Sequence, residues 1–417
     1  MATLIWKGDA APVAQVTTCT IGGTIEADQN FTVTIGSKVL NVVAGATTAA
    51  AVAARVVAAW NALAPAAFPE FSGISVVDNL NGTFTLTGTP GVPFTVSLAT
   101  TEVDGSPSDS ETFTQTTTTA ATGPAFWSEK QNWSTGTVPV SSDNVVIQNS
   151  AASILYGLNQ PTVILSSLTI DQSFTGTIGL PRTNPAGYVE YRGTYLQIRS
   201  LIVTIGAGSG AGSGRIKLDG GVTQCNLTVH NSGSPAETGV RAIVWKGTHA
   251  GNTVTVHKGS FAAAPFGGEV ATIATLKQGY QTNVAGDSDV LLGAGCTLTT
   301  VTKSGGSLEI NSSLTSLNQS AGETTIVAGS PGTLSISGGA VHYRTSGTYT
   351  LATVSGGGEL DFRQDLQPRT GTNTTLKAGG VLRDPAKTVT FTNPIAVACR
   401  LADVMLELGD TFNLQRS

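Results

Sequence analysis

The sequence predicts a mainly β protein built from a small N-terminal α+β module, residues 1–120, followed by a Gly/Thr-rich parallel β-helix (β-solenoid) over residues 121–417. Three observations carry that expectation. Charged residues are 12% and aromatics 6% of the 417 residues, too few for an ion-paired helical bundle or an aromatic-rich core. Short alternating apolar runs recur along the whole chain, whereas a single stretch has helical character. In the last third, Gly-containing corners return at near-constant intervals, as expected of a coil that turns at the same place each time. The 50 Gly lack the every-third period of collagen, and a hydrophobic share of 40% is too high for wholesale disorder.

Taken in order, FTVTI at 31–35 alternates apolar and polar residues, and VLNVV at 39–43 follows after Gly36-Ser37-Lys38, which predicts a β-hairpin. Thr47 and Thr48 then precede AAAVAARVVAAWNAL, residues 49–63, a run of strong helix formers with no Gly or Pro, so a capped helix is expected there. Alanine offers little area for burial, so this helix must sit close on a sheet, with Val52, Val56, Val57 and Trp60 supplying bulk. ISVV at 74–77, a turn at Asn81-Gly82, TFTLT at 83–87 and PFTVSL at 93–98 read as further strands. Residues 99–122 are polar and Thr-rich, a loop and last strand leading to a linker.

Beyond the linker, apolar pairs and triplets recur at Leu168/Ile170, Leu201/Val203/Ile205, Leu227/Val229, Val254/Val256, Ile273/Leu276 and Val290/Leu292. The corners Gly305-Gly306, Ala321-Gly322, Gly338-Gly339, Gly356-Gly357 and Gly379-Gly380 follow at intervals of 16, 17, 18 and 23 residues. One coil of a parallel β-helix has that length, and outward-facing Thr, β-branched and uncharged, suits its strands. The segment 179–198 reads as a loop inserted between early coils. AIVWKGTHAG at 242–251 echoes LIWKGDAA at 4–11, too short a phrase to define a repeat. Trp6 is expected either to pack on its own domain or to dock on a neighbour.

Chemistry is sparse. A net charge of −5 gives no basic field for nucleic acid or an anionic membrane. Residues 1–13, MATLIWKGDAAPV, lack the features of a secretory signal, and no stretch has the length of a membrane-spanning helix. Cys19, Cys225, Cys296 and Cys399 lie more than seventy residues apart and are expected to be free, mostly buried thiols of a protein that folds in a reducing cytoplasm. His230, His249, His257 and His342 show no metal-ligand spacing, and His249 and His257, eight apart, fix no common geometry. A glycan-cleaving β-helix would align carboxylates for acid and base work. Asp287 and Asp289 in GDSDV, and Asp361, Arg363 and Asp365 in LDFRQD, are the candidates, with turn formation the competing role for Asp in such contexts. No nucleotide, nucleophile-elbow or calcium-repeat motif occurs, so the reading is of no enzyme, with no catalytic residue, cofactor or metal site.

The stretch FWSEKQNWSTGTVPVSSDNVVI, residues 126–147, resembles the opening coil of secreted and virion β-solenoid proteins through Trp127, Asn132-Trp133, Gly136, Val138-Pro139, Asp143 and the VVI strand. The order of strands and helix in residues 1–120 is similar to small α+β modules of tailed-bacteriophage virion proteins and of large bacterial surface proteins. The resemblance implies a structural protein of a tailed-phage virion, assembled in the host cytoplasm. Its N-terminal module would grip the major capsid protein or another virion protein, and its solenoid would project as a capsid decoration or head fibre. It further implies a homo-oligomer, a trimer by analogy. The alternatives are a tail fibre or tailspike that binds or cleaves host surface glycans, with Asp287, Asp289 or Asp361 as acids, and a bacterial surface or adhesion protein.

Overall fold

The computed structural model describes residues 2–101, 110–184, 186–189, 194–279, 288–409 and 414–416. Among these are thirty strands, one α-helix and two single-turn 3-10 helices, so the protein is mainly β. Most strands belong to one large parallel sheet system, and two small antiparallel sheets lie in the first 120 residues.

The antiparallel part follows the expected elements closely. Asn30–Ile35 and Lys38–Val43 form the hairpin, and Val96–Thr101 pairs on the other side of its first strand. The second sheet runs Ile74–Asp78, Thr83–Gly88, Val16–Gly22, Thr112–Thr119. Its central strand Val16–Gly22 escaped the sequence reading because two of its inward residues are Thr17 and Cys19, which give no strong apolar alternation. The helix spans Ala49–Asn61, and Thr48 Oγ1 caps it by accepting from the Ala51 N–H at 3.4 Å. Val52, Ala53, Val56 and Trp60 face the core, where Trp60 packs on Phe71 with ring centroids 4.5 Å apart. Phe31, Phe84 and Phe113 complete this core, which is separate from that of the parallel sheets.

The parallel system comprises two ladders. In the first, Asn144–Ile147, Asn159–Asp171, Leu196–Ala207, Asn226–Val229, Thr253–Val256, Ala271–Gln278 and Cys296–Ile310 pair in succession. It continues through Leu314–Ile326, Pro331–Ile336, Tyr349–Val354, Arg369–Leu376, Ile395–Val397 and Leu414–Arg416. The second ladder takes Ile216–Asp219, Ile243–Lys246, Gly259–Ala263 and Ser288–Leu292, then the distal halves of the two long strands, then Ala340–Tyr343, Glu359–Asp361, Val381–Asp384 and Met405–Leu408. The chain alternates between the ladders, and inward residues of both, such as Leu227 and Val229 from one and Ile243 and Phe261 from the other, form one continuous core.

The Gly corners fall where the chain passes between ladders. Gly306, Gly322 and Gly339 all have positive φ and stack on one another, and a Cβ on Gly339 would lie 2.1 Å from the Gly322 carbonyl oxygen. Only glycine allows backbones to approach that closely at this φ. Outward positions hold columns of hydroxyls and amides, including Asn226, Thr253, Thr275, Thr300, Ser316 and Thr333 at one register position.

Two placements depart from expectation. Thr3–Ile5 does not join the antiparallel sheets of residues 1–120; it pairs in parallel with Asn144–Ile147, so the first strand belongs to the large sheet system. The apolar triplet Leu201/Val203/Ile205 does not share one face: Leu201 is 46% exposed, because the buried side of its long strand switches between Ser200 and Val203.

Candidate functional site

At the start of the parallel sheets, the Trp pair closes the core. Trp133 packs edge-on against Trp127 and Trp6, with centroids 4.7 and 5.1 Å away, and its Nε1 donates to the Trp127 carbonyl at 2.9 Å. Trp6 is buried, and its Nε1 donates to the Ala152 carbonyl, so it packs within its own chain. Asn132 explains the Asn-Trp pairing in the sequence. Its amide donates to the carbonyls of Gly123 and Phe126 and accepts from the Ala10 N–H, tying the N-terminal segment to the loop.

Between the antiparallel part and the first parallel strands lies a groove of about 740 Å³. Phe94, Phe126, Tyr156 and Leu158 supply apolar walls, and Glu129, Asn159, Gln160 and Gln197 supply polar groups. The Phe126 and Tyr156 rings lie 5.0 Å apart, tilted by 43°. Groove and lining are of the kind that accepts a small ligand or a partner's side chains. It was invisible in the sequence because its walls come from segments up to a hundred residues apart.

The predicted carboxylates are engaged elsewhere. Asp287 lies outside the described residues. Asp289 forms a two-point ion pair with Arg241, at 2.8 and 3.0 Å, and accepts from Ser307 Oγ. Asp361 is 2% exposed and accepts from Arg363 Nε at 2.8 Å and from the Arg363 N–H at 3.0 Å. Burial works to raise its pKa, but the Arg363 hydrogen bonds and charge, with His342 beside it, outweigh burial and hold it below the ordinary carboxylate value. Beside it, Arg383 bridges Glu359 and Glu407 at 2.8 and 2.6 Å. The result is a strip of alternating charge across neighbouring strands. Asp365 accepts from the Gln367 N–H, a turn role. A general acid needs a carboxyl that holds its proton near neutral pH, and Asp361 is arranged for the opposite.

Two lysines are buried as structural cations. Lys217, 1% exposed, pairs with Glu237 at 3.0 Å and donates to the Leu180 carbonyl. Lys303, fully buried, donates to the carbonyls of Gly305, Gly306 and Ala321 at the stacked corners, and burial pushes its pKa down to about 8. Cys19, Cys225 and Cys296 are buried free thiols, as expected, and Cys399 is partly exposed.

The histidines pair differently from their spacing. His249 Nδ1 accepts from the Gly251 N–H, and His342 joins Asp361. His257 instead meets His230, 27 residues earlier, with ring centroids 5.3 Å apart and planes inclined by 23°. Among the described residues no three His, Cys, Asp or Glu side chains are grouped to hold a metal ion, and no helix is long and apolar enough to cross a membrane.

Comparisons with protein-family models, curated proteins and solved structures found no match to this chain.

Proposed function

We propose that residues 121–417, joined by the strand Thr3–Ile5, form a parallel β-solenoid. The antiparallel part within residues 1–120 acts as an attachment module, and the protein is a non-enzymatic structural component of a tailed-phage virion, projecting from the capsid as a decoration or head fibre. The observation that carries this reading is the unbroken first ladder. Its thirteen strands and Thr3–Ile5, at about 4.8 Å each, give a span of roughly 60 Å in which every interior strand has both edges paired. Such a rod is stiff and resists proteases, and it leaves open edges only at its ends. The ion pairing of Asp289 and Asp361 supports a passive role over a hydrolytic one. Docking of several copies, as in the expected trimer on a capsid protein, would multiply a modest contact.

A second reading, a tail fibre that holds a host surface glycan, rests on the aromatic and amide lining of the groove at Phe126 and Tyr156. Mass-resolved composition of purified particles, with an image locating the chain, separates the two. Hundreds of copies on the head support decoration, and a handful at the tail supports a fibre. Absence from every particle refutes both and favours a bacterial surface protein.

A further inference from the structure

We propose that His230 and His257 form a two-imidazole binding site for a divalent transition-metal ion of the nickel, copper and zinc group. The ladder fixes the pair. Ile205, Val229, Val256 and Gln278 are in register on successive parallel strands, and the residues one step further along are Gly206, His230, His257 and Gly279. The backbone pairing extends through this step, since the His230 N–H donates to the Ile205 carbonyl, the His257 N–H to the Val229 carbonyl and the Gly279 N–H to the Val256 carbonyl. The two imidazoles therefore hang from equivalent points of neighbouring strands, flanked on each side by a glycine that contributes no side chain.

Their separation suits a shared ion. An imidazole nitrogen binds such metals at about 2.0–2.1 Å, which places each ring centroid roughly 3 Å from the metal, and a tetrahedral angle then puts the two centroids roughly 5 Å apart. The observed 5.3 Å falls at that value, so rotation of the rings about their Cβ–Cγ bonds is the main adjustment needed. His249 and His342 each spend a ring nitrogen on a neighbour, whereas among the described residues neither ring of this pair has a side-chain hydrogen bond. Imidazole is the preferred ligand of this metal group, and hard cations such as magnesium and calcium favour oxygen. Among the described residues no third protein ligand is grouped here, and the site is proposed on the two imidazoles alone.

The test uses the full-length, tag-free protein with nickel(II) by calorimetry and copper(II) by electron paramagnetic resonance. One equivalent of metal bound, with the spectral signature of two imidazole nitrogens, is expected. His230→Gln and His257→Gln should each weaken binding at least tenfold while leaving the metal-free unfolding midpoint unchanged, and His249→Gln should bind like the parent. Parent affinity equal to that of the His230→Gln/His257→Gln double variant, or a spectrum with a single imidazole nitrogen, overturns the site. So does transfer of the loss to His249→Gln.

Discussion

Asp361 and His342 meet across neighbouring strands, with His342 Nδ1 3.1 Å from Asp361 Oδ2, while Arg363 Nε holds the other carboxylate oxygen at 2.8 Å. A carboxylate gripped from both sides on a buried position serves as a clamp between paired strands. The same residue, read from sequence as a candidate acid, is thereby withdrawn from proton transfer.

Because its folded pKa lies below the ordinary 3.8, Asp361 contributes stability that is present above that value and is lost as pH falls through the depressed folded pKa. Asp361→Asn should cost about 1–3 kcal/mol at pH 7, since it removes the buried charge that accepts the Arg363 hydrogen bonds. Urea unfolding from pH 3 to pH 7 should show a steeper rise in stability for the parent than for the variant.

Lys303 has the opposite linkage. Its folded pKa of about 8 lies below the ordinary 10.5, so the unfolded chain holds a proton that the folded chain has shed between these values, and stability should rise with pH across that window. Lys303→Met should remove this rise. It should also cost about 1–3 kcal/mol at pH 7 by taking the Nζ donor from the half-buried carbonyls of Gly305, Gly306 and Ala321. Denaturant midpoints at pH 7.5 and 9.5 for both proteins check both statements.

Trp133 bridges Trp6 and Trp127 at the closed end of the core. Trp133→Ala should cost about 3–5 kcal/mol through the cavity it leaves. Limited proteolysis should then release the N-terminal segment first, because Thr3–Ile5 is held by a single neighbouring strand, Asn144–Ile147.

Gly339 tests the corner packing. With φ +68° and a Cβ position 2.1 Å from the Gly322 oxygen, Gly339→Ala should cost about 1–3 kcal/mol or more in thermal or denaturant unfolding. Gly268→Ala is the matched control, with a positive φ of 80° but open space around its Cβ, and should cost less.

The local elements were legible in the sequence because each depends on residues close together in the chain. The helix at Ala49–Asn61 follows from its alanines and the Thr48 cap, the hairpin at residues 30–43 from alternation around Gly36-Ser37, and the corners at Gly306, Gly322 and Gly339 from regular spacing. What the tertiary structure decided is every relationship between strands. Residues in contact across a parallel ladder are far apart in the chain, and their separation is not constant: 16 residues between Val301 and Leu317, 27 between Val229 and Val256 and 35 between Ile170 and Ile205. No fixed offset therefore pairs His230 with His257, places His342 beside Asp361, or carries Thr3–Ile5 past the antiparallel sheets to Asn144–Ile147. Composition and period set the kind of strand and turn, and the register that brings chemical groups together emerges only when the parallel strands pair.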